Sequence, residues 1–346
     1  MAHQAASLRH RRRWTVARAL IVASVAVIVP ARNAERWVRR LMASIRLQTF
    51  SDLEVVVVDD ASTDDTAGSF ERYAGAIPLR ILRNAVRTGV AAARNLAIRS
   101  ADCRWIAIVD ADDWIHPERI QHLTGIAQAT GAQWVADQQL WVCGDPPRPV
   151  RRLLDGRGMP LEQSEFAQRL LLHCGVQGRD CGNLATLQPL VERAAIDRHA
   201  LWYDESLRWC EDLEWSLRCT MAGLRLGWCS DADYYYCQTG APFLHYGDRS
   251  DLMTSAHEAI QASMSGEPSL QPALKRRTRD VRRSTAFLKA VPRGAPELLR
   301  LPPATLASNL WWRVRNKARL LALRPSAVDR SRFDRAWRDV RMEMES

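Results

Sequence analysis

Asp110-Ala111-Asp112, followed at once by Asp113, closes the apolar run Trp105 to Val109. A strand ending in an acid-x-acid turn delivers carboxylates to the carboxyl edge of a sheet, where open α/β sheets bind ligands. Two hard oxygen donors suit Mg²⁺ or Mn²⁺, and such an ion can in turn hold a diphosphate. Glu211-Asp212 forms a second acidic pair, ahead of Leu213-Glu214-Trp215. A carboxylate there can take a proton from an attacking hydroxyl, or simply complement the positive end of a helix. Asp59-Asp60 is the third pair, at the end of Val55 to Val58. One of these acids can accept an N–H from a ring imide, while the other serves the next turn or caps the next helix.

The elements that must carry these acids follow from periodicity. Val25 to Val29 is a β-branched run that Pro30 stops, hence a buried strand. Ala34 to Leu47 has Trp37, Leu41 and Ile45 at helical spacing. Val55 to Val58 is a second buried strand; Ser62 then resembles a helix N-cap, with Asp64 and Asp65 in the first turn. Leu79 to Leu82 is a third strand, Val90 to Ile98 an Ala-rich helix and Trp105 to Val109 a fourth strand. Pro117 opens a helix reaching Ala129, and Trp134 to Ala136 is a fifth strand. Such alternation with short connections predicts a parallel sheet covered by helices on both faces. Residues 141–185 are less regular. Glu211 to Met221 reads as a helix, Leu224 to Cys229 as a strand followed by Tyr234-Tyr235-Tyr236, and the chain beyond 248 as helices.

Five stretches, in order, resemble the inverting glycosyltransferases of family 2. They are Val27 to Asn33, Val56 to Asp64, Gly89 to Asn95, Val109 to Asp113 and Glu211 to Trp215. The resemblance covers about residues 24–245. It implies an α/β fold of GT-A (Rossmann-like) type, a mostly parallel sheet flanked by helices, with a C-terminal helical extension. It divides the chain into a basic segment 1–20, a catalytic domain 21–247 and a helical, basic region 248–346. Within the domain, about 21–140 would be the donor half and 141–247 the acceptor half. The resemblance further implies that Asp212 is the catalytic base and that Asp110 and Asp112 hold Mg²⁺ or Mn²⁺. Asp110 would also lie near the ribose. Pro30 and Arg32 would line the nucleoside, Asp60 would read uracil, with Asp59 the next candidate, and Arg87 would meet phosphate. Arg94-Asn95 would either join them or orient the acidic turn. The aromatic common in the first loop is missing here. The Arg and His that often follow the tyrosine run are also missing, so either His245 serves as a third metal ligand or the metal has fewer protein ligands.

The formal charge of +10 is unevenly spread. Residues 1–34 carry 6 Arg and no acid, and residues 273–324 carry 14 Lys+Arg against 2 acids, so the body between is acidic. Acids in the centre suit a cation, and basic flanks suit an anionic surface. Asn309 to Leu323 mixes Trp and Leu with cations, as an interfacial helix does. No nucleic-acid module is recognisable. The apolar run Ala19 to Pro30 is about half of the ~20 residues a spanning helix needs. The 8 cysteines form no C-x-x-C pair and read as reduced, buried thiols. These features predict a cytoplasmic enzyme, peripheral on the inner face of the plasma membrane. Its partners would be a nucleotide-sugar and a lipid-linked or oligosaccharide acceptor, as in exopolysaccharide synthesis of the succinoglycan type. UDP-glucose is the leading donor. The alternatives are a sugar-phosphate nucleotidyltransferase, whose Gly-rich phosphate loop Pro30 to Asn33 does not supply, and a silent membrane scaffold.

Overall fold

The computed structural model describes residues 23–154, 159, 162–173, 184–238, 250–290 and 324–346. Its frame is a single nine-stranded sheet in the order β3-β2-β1-β4-β8-β6-β9-β5, with β7 paired to β6. The strands are β1 (Val25–Ala31), β2 (Leu53–Asp59), β3 (Leu79–Arg83), β4 (Trp105–Ile108), β5 (Trp114–Ile115), β6 (Trp134–Cys143), β7 (Arg148–Arg152), β8 (Leu190–Glu192) and β9 (Leu226–Cys237). The β3-β2-β1-β4 portion is wholly parallel. It is linked by α1 (Glu35–Arg46), α2 (Thr66–Tyr73) and α3 (Val90–Ser100).

Strand periodicity splits the core in two. Ala26, Ile28, Val56, Val58, Ile106 and Ile108 face one side, with α3. That side also holds α5 (Gln163–His173) and α7 (Glu211–Met221). Val25, Val27, Val29, Val55, Val57 and Ala107 face the other side, with α1, α2 and α4 (Arg119–Thr130). Each of the Val and Ile side chains contributes about 1.5–3 kcal/mol by leaving water. A one-residue slip would send the set to the wrong face.

The second half of the sheet is mixed. β8 runs antiparallel to both β4 and β6, while β6 and β9 pair in parallel. This half departs most from the periodicity reading. β6 does not stop at Ala136, because its polar centre is satisfied in place. Arg119 binds Asp137 through two hydrogen bonds of 2.8 and 2.9 Å. Gln138 exchanges bonds of 3.0 and 2.9 Å with the Leu154 backbone, and Gln139 Nε2 donates to Thr186 O at 2.7 Å. Leu224–Cys229 and the tyrosine run are parts of the one strand β9, and 141–185 includes β7 and α5.

Two local expectations need correction. Pro30 does not end β1, which runs to Ala31. Val25 N–H donates to Asp52 O and Ile28 O accepts from Val109 N–H, so odd residues face β2 and even ones β4. β4 ends opposite Ile28, so the missing N–H of Pro30 faces no strand. Nor is Ser62 an N-cap: α2 starts at Thr66, and the Ser62 hydroxyl instead accepts from Asn33 N–H at 2.9 Å.

Beyond the sheet, α8 (Ser250–Ser263) and α9 (Gln271–Ala290) pack beside α7 and α5. α6 (Arg193–Arg198) follows β8, and α10 (Ala327–Glu345) lies against α1. Among the described residues no helix is long and apolar enough to cross a membrane.

Candidate active site

The three acidic pairs lie at the carboxyl ends of β2 and β4 and at the start of α7. Arg94, on α3, joins two of them. Its Nη2 donates to Asp110 Oδ1 at 2.9 Å, and its Nη1 to Glu211 Oε1 at 3.1 Å and Asp212 Oδ1 at 2.5 Å. The Arg94 side chain is 2% exposed. Burial opposes its charge, but Asp212, Asp110 and Glu211 outweigh that, and it stays protonated. Asp212 is in the opposite position. Burial pushes its pKa well above the usual carboxylate range; Arg94 counteracts, and Glu211 and Asp110 add to the rise. One guanidinium is shared by three carboxylates, so each is only partly neutralised. Asp212, held this way, is a stronger base than a carboxylate in water.

α7 enters the site through a backbone contortion. Cys210, directly before it, has φ +61°, the left-handed region that non-glycine residues rarely take. Glu211 and Asp212 thereby fall in the first turn, where the helix dipole favours negative charge. Asn95, next to Arg94, ties the preceding loop. It exchanges hydrogen bonds with the Tyr203 backbone at 2.8 and 2.9 Å and donates to Glu205 at 2.8 Å. Tyr203 stacks on Trp215, which is buried in the core rather than lining a cleft.

The acidic turn after β4 is fastened from three sides. Asp113 N–H donates to Asp110 O at 3.1 Å. The Asp113 carboxylate accepts from Tyr234 O–H at 2.6 Å and Cys237 N–H at 2.7 Å. Burial, and then Asp112 and Asp110, hold the Asp113 pKa well above normal. Asp113 is therefore a structural acid, whereas Asp110 and Asp112 are only half-buried. Arg40 Nη2 donates to the Asp112 carbonyl at 2.8 Å. Gln188 Nε2 donates to Asp110 Oδ2 at 2.7 Å. Gln188 Oε1 is buried and has no hydrogen-bond partner among the described residues, leaving an unused acceptor beside Asp110.

Asp60 contrasts with these acids. Its Oδ1 accepts from Asn84 Nδ2 at 2.9 Å, Thr88 N at 2.7 Å and Thr88 Oγ1 at 2.8 Å; its Oδ2 accepts from Gly89 N at 2.8 Å. Burial alone would raise its pKa, but these donors outweigh it and the pKa is lowered. Asp60 thus shapes the 84–89 loop. Gly89 is needed there: its φ is +104°, and a Cβ would lie 2.6 Å from Arg208 Nη1. Arg208 in turn donates to Thr88 O at 3.0 Å. Asp59 accepts from Ser62 N at 3.0 Å. Pro30 is buried, while Arg32 and Arg87 are exposed on neighbouring loops. His245 lies outside the described residues.

Sequence reasoning left out Gln188, Tyr234, Arg40 and Arg208. The tyrosine run and Asp113 were both visible, but their pairing across the fold was not. Nothing local marks Gln188 or Arg40, because both act across the fold. Among the described residues a single group of three metal-ligand types converges, His122, Cys229 and Asp233, and it lies apart from the acidic turn's Asp110 and Asp112. Arg332 occupies Asp233 Oδ1 at 2.8 Å and His122 Nδ1 lies 2.7 Å from Oδ2, so that carboxylate already has its partners.

The α/β fold is that of a glycosyltransferase. More particularly, the chain belongs to glycosyltransferase family 2: the model of "Glycosyl transferase family 2" matches residues 26–192. The succinoglycan biosynthesis protein ExoO of Rhizobium meliloti is 30% identical over 275 residues, 78% of this chain and 77% of that protein. ExoU of the same organism is 30% identical over 273 residues, 75% of each chain. The crystal structure of S. aureus TarS 1-349 superposes with a TM-score of 0.58 at 19% identity, covering 93% of this chain and 90% of that one. The mannosyltransferase PcManGT of Pyrobaculum calidifontis, solved with GDP-Man and Mn²⁺, gives 0.52 at 20% identity, covering 86% and 85%. Relatives of the chain are thus named for succinoglycan biosynthesis and, for TarS, as a poly(ribitol-phosphate) β-N-acetylglucosaminyltransferase.

Proposed function

We propose that the chain transfers a hexose from a UDP-sugar, with UDP-glucose the leading donor, to a saccharide acceptor in exopolysaccharide synthesis. The observation that carries this reading is the Arg94 bridge, which sets Asp212 beside Asp110 at one sheet edge. Asp212 takes the proton of the acceptor hydroxyl as its oxygen attacks the anomeric carbon and the bond to the diphosphate breaks. A single displacement inverts that carbon, so an α-linked donor gives a β-linked product.

The other acids take roles that their surroundings suit. Asp60 is the first candidate for reading the base, but it accepts four hydrogen bonds from the 84–89 loop, so Asp59 becomes the better base reader. Pro30 and Arg32 border the nucleoside, and Arg87 meets phosphate. Mg²⁺ or Mn²⁺ fits the acidic turn. Asp110, Asp112, Glu211 and Asp212 outnumber the two arginines that reach the turn, Arg94 and Arg40, and Gln188 Oε1 adds an acceptor. Asp110 and Asp112 would hold the ion, with His245 a third candidate, and it would offset charge on the departing diphosphate.

The division into donor half 21–140, acceptor half 141–247 and C-terminal region 248–346 belongs to the same proposal. So does a lipid-linked acceptor met at the inner face of the plasma membrane. α9 supports it: Leu274 and Val281 are buried, while Lys275, Arg276, Arg279 and Arg282 are exposed along the helix. Such a ridge suits anionic headgroups at about 1 kcal/mol per cation.

Thermal shift with UDP, GDP, CMP and dTDP, with and without Mn²⁺, tests the donor site. The expected result is a UDP shift that needs Mn²⁺ and disappears in Asp112→Ala. UDP-sugars are then screened with Asp212→Asn as the inactive control. No shift for any nucleotide in folded protein overturns the donor-site assignment.

A further inference from the structure

Asp113 is followed directly by Trp114, the first residue of β5, whose only described strand partner is β9. The Trp114 ring is fully buried. It packs 4.1 Å from Tyr235, 5.5 Å from Phe333 and 5.6 Å from Trp337, centroid to centroid. Neither the Trp114 indole N–H nor the Tyr235 hydroxyl has a hydrogen-bond partner among the described residues. No polar contact therefore fixes this ring. Its position is set by shape, and two of the three rings that set it belong to α10, more than 200 residues later in the chain.

α10 is itself anchored at both ends. Near its start, Arg332 donates to Asp233 Oδ1 at 2.8 Å, on the strand that also supplies Tyr234 and Cys237 to Asp113. Near its end, Glu343 pairs with Arg46 of α1 at 2.7 Å, and the Met344 carbonyl accepts from Arg39. α1 also carries Arg40, which holds the Asp112 carbonyl. The helix therefore reaches the acidic turn by two routes, through Trp114 and through α1.

We propose that Phe333 and Trp337 are positioning residues for the reaction, holding the Asp110–Asp113 turn in place through Trp114. They touch no reacting atom. They fix the β5 end of the turn, as Tyr234 and Cys237 fix Asp113. The functional half of this inference rests on Asp110 and Asp112 being the donor-site acids; the mechanical half does not.

The test uses the full chain in three forms: wild type, Phe333→Ala with Trp337→Ala, and Phe166→Ala. Phe166 is an equally buried ring that packs on Trp134 of β6, away from the turn, and so controls for lost core packing. Hydrogen exchange of the segment 109–115 needs no substrate. Loss of both α10 rings is expected to speed it about tenfold or more, while Phe166→Ala leaves it within about twofold. Mn²⁺ titrated against UDP-induced thermal stabilisation is expected to show weaker apparent Mn²⁺ affinity in the α10 variant alone. Phe333→Leu is expected to restore most of the wild-type behaviour. Unchanged exchange at 109–115, or an equal change in Phe166→Ala, overturns the proposal. So does faster exchange with unaltered Mn²⁺ response. If instead wild type itself shows no Mn²⁺-dependent UDP response, the donor-site reading fails, and exchange alone still decides the mechanical half.

Discussion

Asp60 and Asp212 are the same residue type, each at the edge of the same sheet, and their environments push them in opposite directions. Asp60 is wrapped by donors from a single loop, and these hold its pKa below normal despite burial. Asp212 shares one guanidinium with Asp110 and Glu211, and burial holds its pKa well above normal. The first arrangement spends a carboxylate on shaping a loop. The second keeps a carboxylate basic, as proton abstraction requires. What separates them is the stronger desolvation of Asp212 together with the number of donors each acid receives.

Removing Arg94 attacks the difference most directly. Arg94→Met leaves three partly buried carboxylates without their cation, which is expected to abolish turnover. It should also lower stability by about 3–5 kcal/mol, read by chemical denaturation. A near-wild-type unfolding curve would mean that the acids do not depend on Arg94.

Asp212→Asn is expected to lower turnover by about 10²–10⁴. Stability at neutral pH should be unchanged or higher, because a carboxylate under like-charge pressure has been removed. UDP-dependent stabilisation should survive. Its loss together with turnover would make Asp212 a donor ligand rather than a base.

On the other side of the comparison, Asp60→Ala leaves the Thr88 and Gly89 N–H groups without an acceptor. It is expected to cost about 1–3 kcal/mol and to weaken nucleotide-induced stabilisation. Gly89→Ala places a side chain at φ +104° against Arg208 and is expected to cost a similar or smaller amount, about 1–3 kcal/mol. Arg208→Ala in the same chain should relieve only the steric part.

The smallest effects are in pH dependence, and their signs are opposite. Asp60 has a lowered folded pKa, so its stabilising contribution is present above pH 3.8 and is lost as pH falls through the lowered value. Asp212 has a raised folded pKa, so the folded state holds the extra proton above pH 3.8. Its contribution is present below pH 3.8 and is lost as pH rises through the raised value. Melting curves across pH should show Asp60→Asn flattening the acid limb and Asp212→Asn flattening the rise-side loss. The same change in both variants would remove the contrast.

The parallel half of the sheet was legible because its strands are short apolar runs with turn residues at each end. Val55 to Val58 has almost no other way to be buried. The same logic failed at β6, where Asp137, Gln138 and Gln139 interrupt the run and only distant partners make their burial tolerable. The Glu211–Met221 helix was readable from its period, but the αL residue Cys210 that aims it was not. The basic stretch Asn309 to Leu323 and His245 fall outside the described residues.

By itself, the sequence determined the αβ alternation, the acids at the strand ends and membership of a family, since these depend on local period and residue type. Only the tertiary structure decided which acids share a cation, which are spent on a loop, and that α10 reaches the acidic turn. Those outcomes depend on donors and rings brought together from positions as far apart as Arg94 and Asp212, or Trp114 and Phe333, and chain order carries no record of such distances.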